Sequence, residues 1–174
     1  MKRPLFIAGT GAAIFIVILS AFLGTRPAAD DVTASSPLLG KAAPVATLSL
    51  LHGGSVHVGG PSPNITVINF WASWCGPCVT ESPELSTFAW NNRLDHVTVV
   101  GVLFNDLASN ALAFERQYGN LFPTAVDNGG QYANACGVTA PPTTYVIDRS
   151  GRVAAVLVGA VTASQLDHAV VMAQ

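Results

Sequence analysis

The sequence predicts an α/β domain with a mixed central β-sheet flanked by helices, an N-terminal β-hairpin extension and, ahead of these, a transmembrane anchor helix. Two runs, Ile65–Trp71 (ITVINFW) and residues 96–104 (HVTVVGVLF), are continuously apolar and β-branched at strand length, as strands buried on both faces are. A helical pattern lies between them, and a helix linking two apolar strands implies a parallel crossover with helices on the two faces of the sheet. Further on, Thr143–Ile147 and Val153–Val158 flank the turn DRSG and read as a hairpin.

The N-terminal residues 1–24 form a segment of their own. Residues 5–24 are twenty uncharged residues, about 30 Å of helix and enough to cross a bilayer core. Lys2 and Arg3 precede them, which favours a cytoplasmic N-terminus and puts everything after Gly24 outside. A cleaved signal peptide is the competing reading, but residues 21–29 offer no convincing A-x-A-like site and no cysteine for a lipid anchor. Either way the expected location is extracytoplasmic, and the anchored form makes this a single-pass cell-membrane protein. Residues 25–37 (TRPAADDVTASSP) are small and polar without a buriable period, hence a flexible tether, and residues 38–174 form one domain.

Within that domain, residues 45–51 and Ser55–Val58 flank a Gly53-Gly54 turn as two short strands. After Cys75, the spacing of Cys78, Leu85, Phe88 and Ala89 suits an amphipathic helix with Pro83 as a kink. Residues 109–118 form a second helix opened by Ser109, and residues 162–172 close the chain as a third, capped by Thr162. The predicted order is hairpin, then β-α-β-α, then β-β-α.

Composition excludes several functions. Only 10% of residues are charged and 50% are hydrophobic, with mean hydropathy +0.45, an excess that the N-terminal segment accounts for. The net charge of -2 and eight scattered basic residues give no phosphate-tracking surface, so no nucleic-acid partner is expected.

The chemistry concentrates in WASWCGPCVTESPEL, from Trp71 to Leu85. A structural zinc site needs four ligands, whereas Cys75 and Cys78 form the sole CxxC and His52, His57, His96 and His168 are dispersed; no metal or other cofactor is expected. A purely structural disulfide closing so short a loop would restrain little of the unfolded chain. Exchange chemistry remains. A CxxC opening a helix after a buried strand sets the first thiol beside unpaired N–H groups and the positive end of the helix dipole, which stabilises thiolate. Cys75 is then expected to be the exposed nucleophile and Cys78, one turn inside, the resolving thiol, while Pro77 fits the first helical turn.

FWASWCGPC resembles the active-site strand and motif of thioredoxin-fold proteins. GKAAP at 40–44 and GVTAPPTTYVIDRSGRV at 137–153 resemble, more narrowly, the membrane-tethered extracytoplasmic redoxins of the CcmG, ResA and TlpA type, which include cytochrome-c-maturation thioredoxins. The resemblance covers residue 38 onward. It implies that Pro142 is a cis-proline facing the CxxC, with Ala140 and Pro141 offering backbone to an extended substrate. It implies also that Trp71 packs beneath the motif, that Trp74 touches partners, and that Gly76-Pro77 at the centre of the motif suits a reducing enzyme. Asn69 stands where cytoplasmic thioredoxins carry a buried aspartate, and it cannot titrate. Glu81, one helical turn after Cys78, takes over acid–base work on this reading, against the alternative of a solvated helix carboxylate. Cys136 reads as a half-buried apolar residue, or else as a thiol open to pairing or modification.

The function expected is a thiol-disulfide oxidoreductase that reduces protein disulfides, apocytochrome c among them, and draws electrons from a membrane donor. A protein-oxidising enzyme, a peroxiredoxin-like antioxidant and a tethered copper or protein carrier are the alternatives.

Overall fold

The computed structural model describes residues 36–174, so the anchor and most of the tether expected from the sequence lie outside the described residues. Among the described residues no helix is long and apolar enough to cross a membrane.

Seven strands form one sheet: β1 Ala46–Leu50, β2 Ser55–Val58, β3 Ile65–Trp71, β4 Val97–Leu103, β5 Thr124–Val126, β6 Thr143–Ile147 and β7 Val153–Val158. Their spatial order is β2-β1-β5-β4-β3-β6-β7. β3, β4 and β5 run parallel, while β1 joins β5, and β6 joins β3, in antiparallel fashion. β1 and β2 pair antiparallel with Ala46 opposite Val58. The sheet is therefore mixed.

Four helices cover it: α1 Gly76–Asn91, α2 Ala108–Tyr118, α3 Gln131–Cys136 and α4 Ala163–Met172. The β3-α1-β4 and β4-α2-β5 crossovers step across the sheet in the same direction, and right-handed connections put both helices on one face. The strand period of two sorts the core accordingly. Ile65 and Val67 point to that face and pack with Leu85 and Phe88 of α1 and Leu166 and Val170 of α4. Ile68 and Phe70 point the other way, against Tyr132 and Cys136 of α3 and Tyr145 of β6. Ahead of β1, Leu39 bridges to Val153 at the start of β7 and Ala42 to the preceding Arg152.

The two long strands lie within a residue of the boundaries read from the sequence, whereas β5 and α3 have no counterpart there. A three-residue strand has no measurable period, and a six-residue helix shows fewer than two turns of pattern. α3 is held instead by Asp127, whose carboxylate accepts hydrogen bonds from the N–H groups of Tyr132 (3.0 Å) and Ala133 (2.8 Å). Ser109 does not open α2. The helix begins at Ala108, and Asp106 accepts from the Leu107 N–H at 2.7 Å. α1 runs on through Pro83, and Thr162 caps α4 in a reciprocal capping box with Gln165.

Candidate active site

β3 delivers the chain to the C-terminal end of the parallel strands, where open α/β sheets place their ligands. There Cys75 is the N-cap of α1, with extended backbone (φ −86°, ψ 106°), and the Cys78 N–H donates to its Sγ at 3.2 Å. The Cys78 N–H of the first turn thus points at the Cys75 sulfur, at the positive end of the helix, which favours negative charge on it. Pro77 lies in that turn, where a missing N–H removes no bond. Cys75 and Cys78 are joined as a disulfide, S–S 2.04 Å.

Contrary to the expectation of an exposed nucleophile, Cys75 is not exposed: it is 4% accessible, against 2% for Cys78. Both disulfide residues are buried, so the surface offered to a partner is made by neighbours. Trp74, 59% exposed, and the exposed Gly76 and Pro77 supply one side of it. Ala140 is exposed, Pro141 half-buried and Pro142 buried, and the Pro141-Pro142 peptide bond is cis.

The motif loop is fastened from the loop that follows β4. Asp106 accepts from the Ser73 N–H at 2.7 Å, and the Trp74 indole donates to the Asn105 carbonyl at 3.3 Å. Burial works to raise the Asp106 pKa, but hydrogen bonds from Ser73, Asn110 and Leu107 outweigh it and hold the carboxyl below its usual range. Asn105 has φ 45°, a left-handed conformation that Asn tolerates better than most residues. Sequence reasoning missed this clasp, whose only trace is Asn105-Asp106 directly after an apolar strand.

Beneath the disulfide, Trp71 is buried with its ring against Phe114 of α2, centroids 4.8 Å apart. Its indole extends across to β4 at Gly101, where an added Cβ would lie 2.8 Å from Trp71 Nε1. Glu81 is 1% exposed and is no solvated carboxylate. Its Oε1 accepts from Asn69 Nδ2 at 3.0 Å and its Oε2 from the Val161 N–H at 3.2 Å. Burial pushes its pKa up to about 7, with the Asn69 and Val161 hydrogen bonds pulling the other way. Cys78 and Glu81 line one small cavity of about 10 Å³ together with Asn69 and Trp71. Cys78, a thiol once the disulfide is reduced, and the Glu81 carboxyl, whose pKa burial raises, thus line the same small cavity.

Cys136 lies apart, across the sheet. It is 3% exposed rather than half-buried, and burial pushes its thiol up to about 11. A thiol so buried and so weakly acidic is inert in exchange.

Comparison with known proteins agrees with this geometry. The Redoxin family matches residues 38–170. A thiol:disulfide interchange protein DsbE of Xylella fastidiosa is 35% identical over 172 residues, covering 95% of this chain and 83% of that protein. The thiol-disulfide oxidoreductase ResA of Geobacillus thermodenitrificans is 29% identical over 150 residues, 86% of each chain. Among solved structures, a DsbF homologue from Corynebacterium diphtheriae superposes with TM-score 0.63 at 31% identity, covering 75% of this chain and 87% of that one. A thioredoxin family thiol:disulfide interchange protein from Chlorobium tepidum gives TM-score 0.68 at 26% identity, covering 80% and 99%. The chain belongs to the Redoxin family and is a thiol-disulfide oxidoreductase of the type that includes the DsbE and ResA proteins.

Proposed function

We propose that this enzyme works outside the cytoplasm, tethered by residues 1–24 and 25–37, and that its domain of residues 38–174 reduces disulfides in proteins. The observation that carries the mechanism is the disulfide at the start of α1 beside the buried Glu81. In the reduced enzyme, the Cys75 thiolate attacks one sulfur of the substrate disulfide, forming a mixed disulfide and releasing the other substrate sulfur as thiolate. Cys78 passes its proton to Glu81 and attacks Cys75 Sγ. The Cys75–Cys78 bond forms, the second substrate sulfur leaves and takes up a proton, and two electrons have moved to the substrate.

Pro142 is assigned to face the pair, with Ala140, Pro141, Trp74, Gly76 and Pro77 receiving the extended substrate segment. Reduction requires resupply of electrons, because thiols outside the cytoplasm drift toward disulfides. A membrane dithiol donor fills that need, and apocytochrome c is the proposed substrate, through the resemblance to cytochrome-c-maturation thioredoxins.

The test is trapping with Cys78→Ser. Reduced Cys78→Ser should accumulate a mixed disulfide between Cys75 and a peptide carrying a CxxCH disulfide, and Cys75→Ser should trap nothing. Trapping by Cys75→Ser, or by neither variant, contradicts the assignment.

A further inference from the structure

We propose that Asn69 is a positioning residue of this reaction, its carboxamide aiming the Glu81 carboxylate into the cavity that Cys78 shares and keeping it able to accept a proton at neutral pH. The inference rests on the reading of Glu81 as proton acceptor.

Asn69 and Thr144 face each other across the β3–β6 ladder, and both are buried. Asn69 Nδ2 donates to Glu81 Oε1 at 3.0 Å and to Thr144 Oγ1 at 3.1 Å. A primary amide nitrogen carries two hydrogens, so both are spent and the carboxamide has one orientation. The carboxylate is thereby gripped from two sides, by β3 at Oε1 and by the Val161 N–H, ahead of α4, at Oε2. Thr144 stands two residues beyond Pro142, so the same amide ties the acid to the strand that carries the substrate loop.

The chemistry at Asn69 is specific. Neither the Asn69 Nδ2 nor the Val161 N–H can accept a hydrogen bond, so both favour ionised over protonated Glu81. An aspartate at position 69 would set a second carboxylate within hydrogen-bonding distance, and one of the two would hold its proton. An alanine would leave only the Val161 donor. With alanine Glu81 is itself more reluctant to ionise, with aspartate the carboxyl pair retains a proton between them, and a carboxyl already protonated at pH 7 cannot take the Cys78 proton.

The groups facing Glu81 leave few other sources of such a shift. Once the disulfide is reduced, Cys78 is the titratable group sharing its cavity, whose Asn69, Trp71, Ser82, Phe114 and Asn120 linings are uncharged. Glu84, one turn along α1, is engaged at 2.9 Å by the Ala163 N–H.

The test uses the full chain. Its glutamates are Glu81, Glu84 and Glu115, so carboxyl ¹³C resonances of labelled protein follow Glu81 directly. Asn69→Asp preserves the size of the side chain but replaces the donating amide with a second carboxylate. It should raise the Glu81 midpoint by about one pH unit or more, a tenfold gain in proton affinity, and move the pH profile of disulfide reduction alkaline by the same amount. Lost activity at pH 7 should return at higher pH. Asn69→Ala should move both in the same direction, and either variant suffices if the other fails to fold. A Glu81 midpoint unmoved in the folded variants overturns the inference. Glu81→Gln separates the two claims: if it leaves the pH profile of reduction unchanged, the proton-acceptor reading itself fails, whereas a profile that it flattens and the Asn69 variants leave in place defeats only the role of Asn69.

Discussion

Replacing Glu81 with Gln should change how the stability of the oxidised chain depends on pH. In the unfolded chain a glutamate titrates at its ordinary value of 4.5, and in the folded chain burial moves Glu81 to about 7. Between these values the folded state holds a proton that the unfolded state has released, so stability falls as pH rises through the window. At about 1.4 kcal/mol per pH unit, the full effect is roughly 3 kcal/mol, complete above the folded-state value. Asp106 and Asp148 act oppositely and at more acidic pH, because their folded values are lowered. They are common to both proteins and cancel in the difference. Urea denaturation of both proteins at several pH values between about 5 and 8, with the disulfide intact, gives that difference. Glu81→Gln should gain on the wild type by roughly 3 kcal/mol as pH rises across the window. A difference independent of pH would mean that Glu81 titrates as an exposed carboxylate, and the buried-acid argument would fall.

Two further outcomes follow from the packing. Gly101→Ala should cost about 1–3 kcal/mol and perturb the near-ultraviolet signal of the tryptophans, because the new methyl meets Trp71 Nε1 at 2.8 Å; an unchanged stability and spectrum would contradict the close approach. In the oxidised native chain, Cys136 should resist a thiol reagent such as dithionitrobenzoate until the protein unfolds, and Cys136→Ala should retain disulfide reduction; rapid labelling of the folded protein would show the thiol to be accessible.

The fold was legible where burial writes a long pattern. β3 and β4 carry seven residues each of nearly unbroken apolar sequence, and their parallel pairing follows from the helix between them. β5 and α3 were not legible, since the first is three residues long and the second rests on side-chain capping by Asp127 rather than on apolar spacing. At the site, the CxxC and the Pro-Pro pair announce themselves as local motifs. The burial of Glu81 does not, because a solvated helix carboxylate stays open as the alternative to acid–base work until the loop before α4 is placed against it. Asn69 illustrates the same limit. Its failure to titrate is visible in sequence, but its two donated bonds depend on α1 and β6 coming together around β3. The Asp106 clasp on Ser73 joins residues 33 positions apart and leaves no periodic trace.

The central claim is that this enzyme donates electrons to protein disulfides, and the equilibrium reduction potential of the Cys75–Cys78 pair in the full chain tests it most directly. A glutathione or dithiothreitol redox series should place it near about −270 mV, the value of thioredoxin, whereas a value near about −120 mV, that of a strong protein oxidant, would reverse the direction of electron flow.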